Sequence, residues 1–214
     1  MIRAAYERML AEYGPQGWWP ADEPFEIMVG ALLVQQTTWA AAAMAVAALK
    51  DQGLLRCEAL AAAPLEVLQR SIRPAGFFRV KSRRLNMLAQ FVAAAGGVRA
   101  LRERSTPRLR RELLALEGIG EETADAILLY AFERAVVVVD AYSQRWYARM
   151  RGTAAASVLE LRTRVAGELA GVEELNEWHA LVVEHSKRAC RKTPLCARCC
   201  LNSDCQRGRN APAP

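Results

Sequence analysis

The sequence lacks any apolar run long enough to cross a bilayer, where about 20 consecutive apolar residues are needed. It also lacks an apolar leader, because residues 1–10 carry Arg3, Glu7 and Arg8. These absences predict a soluble, cytoplasmic chain. β-Structure is equally scarce. Residues 135–139 (AVVVV) form the one β-rich run, and a lone strand is not stable. The run reads as a buried extended link or a helix start. Cysteine is nearly absent outside one place: five of the six fall between Cys190 and Cys205. In a cytosolic chain such clustering points to metal before disulfides.

What is present reads as helix. The 214 residues are 52% hydrophobic, enough for a real core in one large or two small domains. The net charge of +6 favours a polyanionic partner, nucleic acid before membrane. Ala, Leu, Arg and Glu dominate, with apolar residues three and four apart. That spacing predicts helices over residues 2–13, 24–40, 39–51, 65–71, 80–94, 107–116, 121–132, 141–150, 155–169 and 174–190. The expected fold class is all-α. Turns fall at 13–20 (YGPQGWWP), 73–76 (RPAG), 96–97 and 118–120. Ser105 or Thr106 before Pro107 marks a helix start. The polar tail 206–214 is expected to fray.

Two patterns carry chemistry. In LEGIG (116–120), Gly118 and Gly120 permit positive φ and close backbone approach. The helix that follows offers free N–H groups and the positive end of its dipole, a phosphate grip blind to sequence. An ordinary glycine-capped hairpin is the plainer reading. Glu121 and Glu122 sit in the first turn, where acids favour the dipole. Asp140 then ends the apolar run. It can cap the next helix, or stabilise positive charge on a sugar and orient water. A cap holds the carboxylate in place, so the roles are compatible. Apolar surroundings are expected to raise its pKa.

The second pattern is Cys190-x5-Cys196-x2-Cys199-x5-Cys205. Zinc sites usually show two tight pairs, or Cys pairs with His pairs. Four thiolates with one tight pair fit a cubane iron–sulfur cluster better. Cys200 could replace Cys199 as third ligand, and a zinc knuckle or free thiols remain open. Cys57 stands alone as a buried apolar thiol.

L-x-G-I-G-x-x-T-A-x-A-I followed by V-V-D resembles the helix-hairpin-helix and downstream aspartate of the endonuclease III superfamily of DNA glycosylases. That family closes its chain with a very similar cysteine loop. Trp18-Trp19-Pro20, PFEIMVGALLVQQTTW (24–39), RPAGFFRVKSRRL (73–85) and Lys187 in EHSK resemble one branch of it. This is the third class of bacterial 3-methyladenine DNA glycosylases. The resemblance runs from about Trp18 to Lys187. The cysteine loop is a departure, since the best-known member of that branch lacks it.

The resemblance implies two all-α domains flanking a DNA-binding cleft. A six-helix domain over 21–132 would hold the hairpin. Residues 1–20 with 133–214 would form a discontinuous domain with the cluster loop at 190–205. A [4Fe-4S] cluster on Cys190, Cys196, Cys199 and Cys205 is implied. Lys187, Arg188, Arg191, Lys192 and Arg198 would make its loop basic and DNA-facing. Asp140 is implied as the catalytic residue. Glu122 stands where endonuclease III carries the lysine that forms a Schiff base with the sugar. Glutamate cannot form an imine, so a monofunctional enzyme is expected.

Trp18, Trp19, Pro20 and Lys187 match the branch's base pocket. An aromatic slot suits a flipped cationic base, although paired tryptophans also serve as core anchors. Gln35 or Gln36 would fill the gap left by the flipped base. Lys81, Gly118, Ile119, Gly120 and Thr123 would contact DNA. The implied partner is double-stranded DNA with a damaged base, met near the nucleoid by a monomer in base excision repair. The lesion is 3-methyladenine first. Oxidised pyrimidine, uracil or mismatched thymine are alternatives, as is a non-catalytic DNA-scanning protein.

Overall fold

The computed structural model describes residues 1–209, which contain helices and no strand. The helices are α1 Ile2–Tyr13, α2 Pro24–Leu33, α3 Trp39–Asp51, α4 Cys57–Ala62, α5 Leu65–Ser71, α6 Phe78–Ala94 and α7 Val98–Arg102. They continue with α8 Thr106–Leu114, α9 Glu121–Ala126, α10 Ala141–Arg151, α11 Val158–Glu168, α12 Val172–Arg188 and α13 Gln206–Arg209. The chain divides into two compact units. One is Trp19–Arg134; the other joins Met1–Trp18 to the chain from Ala135 onward.

In the unit Trp19–Arg134, α2 is the central helix. Eight of its ten residues, from Phe25 to Leu33, are buried, because α3, α6 and the segment after α9 pack around it. Burying each large apolar side chain there contributes about 1.5–3 kcal/mol. Gly30 makes one contact possible: a Cβ on it would stand 3.3 Å from the Trp19 indole. That indole meets the Trp39 and Tyr130 rings edge-on, at 5.1 and 5.3 Å between centroids.

The spacing predicted one helix over 24–40, but α2 ends at Leu33. Gln36 has φ 53°, a left-handed conformation that a helix cannot absorb. Thr38 then caps α3, its Oγ1 accepting from the Ala41 N–H at 3.3 Å. The expected helix 121–132 is α9 followed by a π-helical turn over Ile127–Ala131. All five residues of that turn are buried, so no break in apolar pattern marks the wider register. Helices α4 and α7, of six and five residues, span less than two turns, too short to repeat the i, i+3, i+4, i+7 pattern.

In the other unit, α1 packs on α11 and α12, and α10 packs on α12. Trp146 of α10 and Trp178 of α12 meet edge-on at 6.3 Å. Residues 135–140 form neither helix nor strand, with Val137–Val139 buried, which matches the expected buried link. The tail is a correction in part. Gln206–Arg209 forms α13, against the Asn202 backbone where Gly208 leaves no room for a Cβ. Residues 210–214 lie outside the described residues.

Candidate functional site

The glycine hairpin belongs to the unit Trp19–Arg134. Gly118 has φ 84°, and a Cβ there would collide with the Arg84 side chain. Only glycine fits. Gly120 is extended, at φ −87°, and nothing lies within 4 Å of where its Cβ would stand. Its backbone is open to close approach. Ile119 is buried, and so is Thr123, so their side chains secure the turn from inside. Arg110 of α8 clamps Asp125 of α9 with a two-pronged ion pair, Nε–Oδ1 2.6 Å and Nη2–Oδ2 3.2 Å. Glu122 is exposed in the first turn of α9.

The two adjacent glutamines do different things. Gln35 Nε2 donates to the Gly118 carbonyl and to Thr123 Oγ1, each at 2.9 Å. Its amide fastens the α2 end to the hairpin. Gln36 is exposed on its left-handed backbone, a strain of about 1–3 kcal/mol that persists only where surroundings enforce it.

Lys81 requires a correction. It was expected to reach DNA phosphates, but it is only 3% exposed. Its Nζ donates to the carbonyls of Leu33, Gln35 and Ala75, each at 2.8 Å. An ammonium has three protons, so none remains for a phosphate. Burial pushes its pKa down. The site suits a cation because Leu33 ends α2, at the negative pole of that helix, and Gln35 follows just beyond it. Lys81 therefore fixes two turns at once: the one at Gln36 and the Arg73–Ala75 turn that leads to Phe77. Phe77, also left-handed at φ 46°, is 65% exposed. Sequence reading missed it; the signal was an aromatic directly after the Gly76 turn.

Asp140 belongs to the other unit and caps α10. Its Oδ1 accepts from the Ser143 N–H at 2.7 Å, and Ser143 Oγ accepts from the Asp140 N–H at 2.9 Å. This reciprocal box fixes the carboxylate. Its Oδ2 faces His179 Nε2 of α12 at 3.7 Å. Asp140 is 6% exposed. Burial pushes its carboxyl up, but His179 and the Ser143 N–H outweigh that and leave it below the ordinary aspartate value. The expected rise is thus reversed, since the apolar run supplies burial but not donors. His179 was missed as well, because a lone histidine on the apolar stripe of a helix is most often a core residue.

Trp18 lies in the same unit. Its ring meets His179 edge-on at 6.0 Å, and Lys187 Nζ stands 5.5 Å over it. Of the four residues expected in the base pocket, Trp18 and Lys187 come together beside His179. Trp19 and the exposed Pro20 belong to the other unit.

Cys190, Cys196, Cys199 and Cys205 line one cavity with Trp146 and His185. Cys200 does not; its Sγ lies 3.8 Å from the Tyr13 hydroxyl. The geometry thus separates the adjacent cysteines. Arg149 of α10 grips the loop, its guanidinium donating to the Cys190 carbonyl at 3.2 Å and its Sγ at 3.3 Å. Burial, and then the neighbouring thiols, push Cys199 up to about 12. Thiolates there need a cation among them. Among the described residues, no three Cys, His, Asp or Glu converge as a single metal ion requires. Among those residues, too, no helix is long and apolar enough to cross a membrane.

One unit thus carries a glycine-turn hairpin and the other a capped, buried aspartate. Residues 29–167 match the HhH-GPD superfamily of base excision DNA repair proteins, and the chain belongs to that family. A Methanocaldococcus jannaschii protein, provisionally named a DNA repair glycosylase, is 39% identical over 96% of both chains. Endonuclease III of Bacillus subtilis is 30% identical over 87% of this chain and 82% of its own. Among solved structures, a Helicobacter pylori 3-methyladenine DNA glycosylase bound to 1,N6-ethenoadenine aligns at 27% identity and TM-score 0.76. That alignment covers 87% of this chain and 95% of that one. A trapped endonuclease III–DNA covalent intermediate aligns at 25% identity and TM-score 0.80, over 97% and 95%.

Proposed function

We propose that this HhH-GPD DNA repair glycosylase excises alkylated purines, 3-methyladenine foremost, without cutting the strand. The observation that carries it is Asp140, a carboxylate fixed by its own cap and kept ionised. Cleaving the bond from C1′ to a purine leaves the electron pair on the base and positive charge on the sugar. Asp140 stabilises that charge, and water adds to C1′ with loss of its proton. A cationic base departs neutral and needs little acid catalysis. Trp18 offers the aromatic surface for a flipped base. Gln36 and Phe77, exposed on strained turns, reach into duplex DNA, with the Gly120 backbone on phosphate.

Glu122 narrows the reading to a monofunctional enzyme, because a carboxylate cannot form an imine with the sugar. Cys190, Cys196, Cys199 and Cys205 would hold a [4Fe-4S] cluster, which would tie residues 190–205 together and take no part in base release. The protein acts as a monomer on double-stranded DNA.

The test uses a duplex carrying one alkylated purine. Free base should appear, and borohydride should trap no covalent adduct. An adduct, or a chain that binds without releasing base, contradicts the reading. One observation favours a second reading. The Lys187 ammonium over Trp18 repels a second cation on that ring, which favours a neutral lesion such as oxidised pyrimidine, uracil or mismatched thymine. Lys187→Gln separates the two. Release of 3-methyladenine should hold or rise under the first, whereas release of a neutral base should fall under the second.

A further inference from the structure

The cysteine cavity has a hydrogen-bonded wall that base release does not use. His185, 1% exposed on α12, places Nε2 at 3.7 Å from Cys199 Sγ. Its Nδ1 lies 2.9 Å from the hydroxyl of Tyr13, the last residue of α1. That hydroxyl in turn lies 3.8 Å from Cys200 Sγ. The Arg188 guanidinium stands over the Tyr13 ring at 5.3 Å. The His185 carbonyl also accepts from the Cys190 N–H at 2.9 Å. One histidine thus touches the first cysteine of the loop through its backbone and the third through its ring.

We propose that His185 and Tyr13 form an outer hydrogen-bonded shell around the cluster, selecting Cys199 over Cys200 as ligand and raising the cluster's reduction potential. The inference rests on the cluster reading given above. The direction of the chain follows from proton bookkeeping. A metal-bound Cys199 is a thiolate and can only accept. His185 Nε2 therefore carries the hydrogen, and Nδ1 of the neutral ring is an acceptor. The Tyr13 hydroxyl must donate to it. Its oxygen then accepts from the Cys200 S–H. Each group has one role, and the reverse order would require a proton on the ligand sulfur. Cys200 is left as a thiol tied to Tyr13, outside the cavity.

An N–H donor aimed at a ligand sulfur draws charge from it and favours the reduced cluster. Hydrogen bonds to the sulfurs are among the factors that set such potentials, and partners of the ligands tune a site nearly as much as the ligands do.

The experiment uses the whole purified chain, with iron, sulfide and zinc content read first. Stoichiometric zinc, or no iron and sulfide, overturns the cluster reading and this inference together. With the cluster present, midpoint potential is measured for four chains. His185→Phe removes the donor and should shift the potential negative at unchanged iron content. His185→Gln, whose amide N–H replaces Nε2–H, should restore most of the shift. Tyr13→Phe should move it less, in the same direction. An unchanged potential in His185→Phe overturns the proposal. If His185→Phe does not hold iron, Tyr13→Phe decides in its place, and no shift there overturns it. Ligand choice is read separately: Cys200→Ser should keep full iron content and Cys199→Ser should lose it. The opposite pattern also overturns the proposal.

Discussion

Lys81 and Asp140 are both buried charges, one in each unit, and residue order alone aims both at DNA. The structure treats them oppositely. Lys81 gives all three protons to backbone carbonyls, and its capacity is exhausted inside the fold. Asp140 is capped through Oδ1, while Oδ2 faces a histidine beside an aromatic ring. A buried charge with every hydrogen bond filled by backbone is a structural tie. The one proposed for chemistry has an oxygen turned toward a histidine that itself meets an aromatic ring. Burial alone does not distinguish them; the identity of the partners does.

Several substitutions sharpen or break this contrast. The largest effect is expected from Asp140→Asn. Single-turnover base release should fall by about 10²- to 10⁴-fold, with melting temperature nearly unchanged, because asparagine also caps helices. A large loss of stability with full activity would reverse the roles assigned to the two residues. Next comes Lys81→Met, which leaves three carbonyls without their donor. It should cost about 3 kcal/mol, read as a drop in melting temperature of roughly 6–12 °C. If stability holds and only DNA affinity falls, Lys81 is a phosphate ligand after all.

The pH profile tests how Asp140 is held. Its folded value lies below the ordinary one, so its contribution to stability is present above about pH 3.9. That contribution is lost as pH falls through the folded value. With Ser143 and His179 holding the carboxylate ionised, Asp140 imposes no acid limb between pH 8 and 5 on single-turnover release. A loss between pH 7 and 5 that vanishes in Asp140→Asn would mean a raised carboxyl. The smallest effects concern the glutamines. Gln35→Ala should cost about 1–2 kcal/mol for two lost hydrogen bonds. Gln36→Gly should gain about 0.5–1 kcal/mol by relieving the left-handed backbone, while weakening the grip on lesion DNA. Equal behaviour of the two would erase the distinction drawn between them.

The same contrast shows what could be read from the chain. Helices with several turns announced themselves by spacing, and the Gly118 turn by its glycines. The cap at Asp140 was legible because one short stretch sets it, from apolar run to helix start. The partners of Lys81 were not, since Leu33 and Ala75 meet it only after folding. A lysine three residues before another basic residue looks like any solvated helix face. His179 was hidden for the same reason, lying 39 positions after Asp140. Telling exposed Gln36 from hairpin-bound Gln35, or cavity-lining Cys199 from Cys200, required backbone angles and cavity walls that residue order does not encode. The π-helical turn at Ile127–Ala131 left no trace in a run that is buried throughout.

The central claim is that Asp140 drives release of a cationic purine without strand cleavage. The most direct measurement is chromatography of the bases freed from methylated duplex DNA by the wild-type chain and by Asp140→Asn, with strand scission scored in parallel. The account predicts free 3-methyladenine from the wild type, almost none from the variant, and uncut strands in both. Release of pyrimidines alone, or equal release by the two chains, would contradict it.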